Sequence, residues 1–128
     1  TPTVNKSLNY LKRNDFLAFK NKKSLFAMTA HIVFNKIDSK NTVTHSKKMI
    51  NIIRNQIKFK NVLISDDLSM KSLKKSIKEN TINTFNSGCN IALHCNGDLN
   101  EMKIVAENSP IVSSFILKKT SQFYKIIS

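Results

Sequence analysis

Acid is scarce in this chain. Eight Asp and Glu stand against 21 Lys and Arg in 128 residues, a net charge of +13. Such an excess invites a nucleic-acid reading, but arginine is scarcer still, with only Arg13 and Arg54. Arginine is the residue that reads base edges and grips phosphate with two parallel bonds. The lysines are spread along the whole chain beside abundant Asn and Ile, as an AT-rich coding sequence would give. No nucleic-acid partner is expected. Glycine is limited to Gly88 and Gly97, which excludes a Gly-rich phosphate loop. The two cysteines, Cys89 and Cys95, flank a predicted strand. Extended, their Cα atoms lie roughly 20 Å apart, beyond the ~7 Å limit for a disulfide. They lack the spacing of a zinc site and read as core thiols of a reducing compartment. No apolar run approaches the ~20 residues of a membrane helix. Nothing at the start resembles a secretory signal. The expectation is a cytoplasmic chain that needs no membrane, no metal and no cofactor.

What is present is the profile of a folded domain, 41% hydrophobic and 23% charged. Helical and strand patterns alternate. A first helix is predicted over Val4, Leu8, Leu11, Phe16 and Phe19, opened by Thr1-Pro2. Leu25 to Ala30 reads as a strand, and Asn35 to Thr42 as a polar loop. Met49, Ile53 and Ile57 mark a second helix capped by Thr44 or Ser46. Val62 to Ser65 is the second strand. Leu73, Ile77, Thr81 and Phe85 mark a third helix that Gly88 ends. Ile91 to Cys95 is the third strand. A short helix over Leu99 to Ala106 and a last one opened by Pro110 complete the chain. Strands recurring at the spacing of βα units, each a continuous apolar run, predict a parallel α/β sheet. The pattern alone leaves open a small doubly wound domain or a slice of a barrel.

Chemistry concentrates at Leu63-Ile64-Ser65-Asp66-Asp67-Leu68-Ser69-Met70. Two of the five Asp sit side by side where an apolar strand stops. Adjacent carboxylates repel and must face water or a ligand, and the C-terminal ends of parallel strands are where α/β proteins do chemistry. One acid serves as nucleophile or acid/base group, and Asp67 or Ser69 is available to cap a following helix. His31 closes the first strand, either as a substrate contact or as a packed histidine. His94 reads as a core residue, Asn96-Gly97 as a turn, and His45 as a helix-start residue. No Ser/His/Asp elbow is visible.

Phe26-Ala27-Met28-Thr29-Ala30-His31, Val62 to Met70, and Ser87 to Asn96 together resemble the later strands of bacterial β-N-acetylhexosaminidases of glycoside hydrolase family 3. The Ser-Asp-Asp-Leu-Ser-Met run is the most specific element, and the resemblance extends from Thr1 to about Phe123. It implies that residues 1–128 are a single partial domain, the C-terminal portion (about three βα units) of a (β/α)8 TIM barrel. It implies retaining removal of terminal β-N-acetylglucosamine from cell-wall saccharides during peptidoglycan recycling. Asp66 is then the nucleophile, and His31 and Asp67 border the sugar.

This chain departs from the family in several places. The Lys-His-Phe-Pro-Gly-His-Gly loop that carries the family's acid/base group has no counterpart here. Lys58-Phe59-Lys60-Asn61 stands where the family has Gly-Phe-x-Gly, and Ser87-Gly88-Cys89-Asn90 where it has Ala-Gly-x-Asp. The loop from Asn35 to Thr42 lacks the family's prolines. Three strands also leave sheet edges that other strands should cover. The expectation is a fragment or one half of a split protein, inactive alone, whose partner is the missing N-terminal half of the barrel. Two non-catalytic alternatives are a receiver-like signalling domain and a basic nucleic-acid-binding fragment. The receiver reading suffers because the acidic pair lies mid-chain.

Overall fold

The computed structural model describes all residues, Thr1–Ser128. Three strands form a parallel sheet: β2 (Phe26–Met28), β4 (Val62–Asp67) and β5 (Ile91–Leu93), in the spatial order β2-β4-β5. Phe26 pairs with Val62 and Met28 with Ile64, while Ile64 pairs with Ile91 and Asp67 with Leu93. The β4–β5 register shifts between its two pairs, and the buried Ser65 hydroxyl spans the break by accepting the Leu93 N–H at 2.8 Å. Two shorter strands, β1 (Thr3–Val4) and β3 (Val33–Phe34), pair in parallel beside this sheet.

The helices are α1 (Leu8–Arg13), α2 (Lys47–Asn55), α3 (Ile77–Ser87), α4 (Leu99–Glu107) and α5 (Ser114–Ile127). Each begins where a side-chain oxygen accepts a first-turn N–H: Ser7, Ser46, Ser76, Asp98 and Ser113. Ser76 and Glu79 form a reciprocal capping box.

These starts revise the sequence reading in several places. Thr1-Pro2 opens no helix; residues 3–4 are strand, and Phe16 and Phe19 lie in a 3-10 turn over Asp15–Phe19. The third helix begins at Ile77 rather than Leu73, because the capping box fixes its start. The last helix begins after Ser113, not at Pro110. β5 stops at Leu93, which leaves His94 beyond it.

The core lies on two sides of α2. Met49 and Ile52 pack with Leu11, Phe16, Val43 and Ile57, whereas Ile50 packs with Phe59, Leu63 and Cys89 beneath the sheet. Ile53 touches both clusters. A fully buried leucine such as Leu63 contributes about 1.5–3 kcal/mol. Arg54 closes the N-terminal end of β4. Its guanidinium donates to the Asn61 carbonyl at 2.6 Å, the Phe59 carbonyl at 3.2 Å and Asn90 Oδ1 at 2.7 Å. Asn90 Oδ1 also accepts the Leu63 N–H at 2.9 Å, and the Asn90 N–H bonds the Leu63 carbonyl.

Gly88 ends α3 with φ of 111°, donating to Phe85 and Thr84 carbonyls. A Cβ there would lie 3.0 Å from Ile50 Cγ2. Gly88→Ala is therefore expected to cost about 1–2 kcal/mol from the left-handed backbone alone. Urea unfolding checks this, and an unchanged midpoint would contradict it.

Candidate active site

The C-terminal end of β4 carries Asp66 and Asp67, and the two carboxylates have different surroundings. Asp67 is engaged at both oxygens from within the chain. Its Oδ1 accepts the Ser69 N–H at 3.0 Å, the Ser69 hydroxyl at 2.8 Å and the Cys95 N–H at 3.0 Å, and Oδ2 accepts Ser69 Oγ at 2.7 Å. This is a side-chain turn onto residue 69. No helix starts here, so neither Asp67 nor Ser69 is a cap. Partial burial pushes the Asp67 carboxyl up, but the Ser69 and Cys95 donors and nearby His94 outweigh it and hold the group below the usual carboxylate range.

Asp66 is half-free. Its Oδ1 accepts the Asp67 N–H at 2.9 Å, and no protein donor reaches Oδ2. The Asp66 N–H donates to Thr29 Oγ1 at 3.2 Å. Thr29 Oγ1 lies 2.9 Å from Thr44 Oγ1, which lies 3.0 Å from His31 Nδ1. His31 Nε2 lies 2.8 Å from the Asp67 carbonyl oxygen. A carbonyl only accepts, so Nε2 carries the hydrogen. In the neutral ring Nδ1 then accepts from Thr44, and Thr44 accepts from Thr29. The backbone on both sides of the Asp66–Asp67 peptide is thus held by one closed run of hydrogen bonds. Thr29, His31 and Thr44 are all buried.

The sequence reading placed His31 beside the acids, and the structure does so. At 3% exposure, with both ring nitrogens engaged, His31 grips the chain rather than an open cavity. Thr29 and Thr44 were missed, since a lone threonine carries no pattern in sequence. His94 is buried at the side chain and bonds Glu101 at 2.7 Å, and Asn96 Nδ2 reaches the same Glu101 oxygen. Cys95, expected in the core, is exposed, and its thiol is pushed up by local desolvation and then by the Asp67 and Asp66 carboxylates. Cys89 is buried, and burial pushes its thiol up to about 11. No group of three or more His, Cys, Asp or Glu is placed to hold a metal ion.

Close to this framework, burial pushes the His45 imidazole down to about 4 from its ordinary 6.5; the Asn80 backbone opposes the shift, and His31 and Lys75 add to it. The unfolded chain then binds more protons between these values, so stability falls as pH drops from 6.5 toward about 4. The carboxylates act lower, since Asp38, Asp67, Glu79 and Glu101 are all held below their ordinary values of 3.8 or 4.5. His45→Gln should flatten the upper part of the stability profile and leave the lower part. Urea midpoints from pH 7 downward test this; an unaltered slope in His45→Gln would refute it.

The arrangement offers one carboxylate with an open oxygen at a strand's C-terminal end, next to a second that is spent on structure. Two acids in separated environments are suited to different roles.

A sequence model of the glycosyl hydrolase family 3 N-terminal domain matches residues 1–122. The chain is 28% identical over 127 residues to a beta-hexosaminidase of Photobacterium profundum, covering 91% of this chain and 38% of that protein. It is 34% identical over 100 residues to a beta-hexosaminidase of Neisseria gonorrhoeae, covering 74% of this chain and 28% of that protein. The crystal structure of native NagZ from Neisseria gonorrhoeae superimposes with a TM-score of 0.77 at 27% identity, over 91% of this chain and 35% of the other. The chain therefore spans 28% to 38% of the length of these relatives.

Proposed function

The chain belongs to the glycosyl hydrolase family 3 N-terminal-domain family, and from that premise we propose that it supplies the nucleophile end of a retaining β-N-acetylhexosaminidase barrel. In this reading β2, β4 and β5 with their helices are about three βα units, the C-terminal part of a (β/α)8 barrel. The observation that carries the reading is the contrast between the two acids. Both Asp67 oxygens are engaged by donors of this chain, while no protein donor reaches Asp66 Oδ2.

Asp66 attacks the anomeric carbon of a terminal β-N-acetylglucosamine. The bond from C1 to the Asp66 oxygen forms as the bond from C1 to the leaving oxygen breaks. The leaving oxygen takes a proton from an acid outside the three segments that carry the resemblance. Water then attacks C1, giving its proton to the group that protonated the leaving oxygen, the ester to Asp66 breaks, and two inversions give net retention. Asp67 and His31 bear on the sugar through Asp66: the Asp67 N–H donates to Asp66 Oδ1, and His31 Nε2 holds the Asp67 carbonyl. The saccharides are those released from peptidoglycan, and the setting is cytoplasmic recycling. The partner is the polypeptide that contributes the remaining strands.

Two measurements test this. Alone, the purified chain should release no aryl alcohol from an aryl N-acetyl-β-glucosaminide, because no proton donor for the leaving group is in place. Fused behind the upstream part of the Neisseria gonorrhoeae relative, it should hydrolyse that substrate with retention. Turnover by the isolated chain, or inversion by the fusion, would sink the proposal.

A further inference from the structure

The last helix, α5, reaches back across the molecule to the first residue of β2. The Phe123 ring stands edge-on to the Phe26 ring, with centroids 5.3 Å apart. The side of the sheet on which they meet follows from the alternation of side chains along a strand. Ala27 and Leu63 are paired neighbours, and both pack into the cluster under α2. Phe26 and Val62, also paired, therefore point to the opposite face, followed on that face by Met28 and Ile64. Phe123 thus brings α5 onto the face that α2 does not cover.

Exposure along this face is graded. Val62 is fully buried, Phe26 and Ile64 are half-buried, and Met28 is exposed. The cover is therefore confined to the N-terminal ends of the strands. The helix itself gains little from the contact. It has no buried residue, and Leu117, Tyr124, Ile126 and Ile127 are exposed. An element with so little buried apolar surface opens at low cost.

We propose that α5 is a displaceable cover, which shields the inward face of the sheet in the separate chain and leaves when the polypeptide with the remaining strands docks there. The docking step rests on the barrel proposed above, in which helices form the outer ring and the face away from α2 is the interior. The interior of an eight-stranded barrel is just wide enough for side chains to fill. A helix with its side chains is roughly 10–12 Å across. The helix and the remaining strands cannot share this face. What docks on Phe26, Met28, Val62 and Ile64 is the set of inward apolar side chains of those strands. The apparent affinity of the chain for its partner is lowered in proportion to the fraction of molecules whose face is free.

The experiment is an NMR titration of the full, isotope-labelled chain with the upstream part of the Neisseria gonorrhoeae relative, added as a separate polypeptide. In the free chain, nuclear Overhauser effects should join the Phe26 and Phe123 rings, and they should vanish at saturation. Phe123→Asp, at an exposed position, should keep a dispersed spectrum, lose the ring contact and raise the apparent affinity about tenfold, the factor that one lost aromatic contact with its burial represents. Gln122→Asp adds the same charge at the neighbouring exposed position and should bind as the parent does. Four outcomes overturn the cover and leave the barrel standing. They are no ring contact in the free chain; a ring contact that persists in the complex; no gain in Phe123→Asp; and an equal gain in Gln122→Asp. Failure of both the parent and Phe123→Asp to bind the upstream polypeptide would instead overturn the barrel, and the docking step with it.

Discussion

Asp66→Asn in the completed barrel is expected to lower hydrolysis of an aryl N-acetyl-β-glucosaminide by about 10⁴-fold or more, in line with the loss of a group that acts within a catalytic unit. The substitution is nearly isosteric. The Asn amide oxygen can still accept the Asp67 N–H that Asp66 Oδ1 accepts at 2.9 Å, so the turn survives. What disappears is the charged oxygen with no protein partner. An uncharged amide does not form the glycosyl ester, and the neighbouring Asp67 is turned onto Ser69 and the Cys95 N–H. Asp66→Ala with added azide gives a sharper readout. Azide entering the vacated space makes a single displacement, so the product is the α-glycosyl azide. Residual activity within tenfold of the parent, or labelling of a different residue by a mechanism-based fluoro-sugar, would remove Asp66 from the nucleophile's place.

The second large effect is expected at Thr44, which touches neither acid. Thr44→Val keeps the shape and removes the hydroxyl that joins Thr29 to His31. Two buried polar groups lose their partner, at about 1–3 kcal/mol each, so the loss of stability should reach about 2–6 kcal/mol. Thr44→Ser restores the hydroxyl and should recover most of it. A merely space-filling role would give the opposite order, because valine fills the site better than serine. The nitrogen chemical shifts of His31 supply a second readout. With Thr44 the hydrogen resides on Nε2, bonded to the Asp67 carbonyl. In Thr44→Val, Nδ1 loses its donor while the Asp67 carbonyl still keeps the hydrogen on Nε2, so the Nδ1 shift should move and the tautomer should not. Serine failing as badly as valine would contradict this account.

Much of this architecture was legible in the sequence because local chemistry fixed it. Ser46, one of the two expected caps, opens α2, and Gly88 ends α3 as expected, since a cap and a left-handed terminus are short-range features. The parallel strands at Phe26, Val62 and Ile91 followed from apolar runs at βα spacing. The start of α3 was legible but missed, since Ser76 and Glu79 have the spacing of a capping box. The pairing of Thr3–Val4 with Val33–Phe34 was not legible. Two-residue strands carry no periodicity and exist only because the fold brings them together. The same holds for the Thr29, Thr44 and His31 bonds, which join residues 13 to 37 positions apart. The different states of Asp66 and Asp67 were equally hidden. Which of two adjacent acids is neutralised by donors depends on Ser69 and on the Cys95 amide, brought from across the sheet.

The Arg54 cluster lies at the far end of β4 from the acids. By tying the Phe59 and Asn61 carbonyls to Asn90, and through Asn90 to both backbone groups of Leu63, it pins the strand against β5 at its origin. A slip of a single residue would turn each side chain to the opposite face and exchange the places of Asp66 and Asp67. Weakening that anchor should loosen the N-terminal end of β4 from β5, upstream of the register shift between Ile64 and Asp67, before it unfolds the chain.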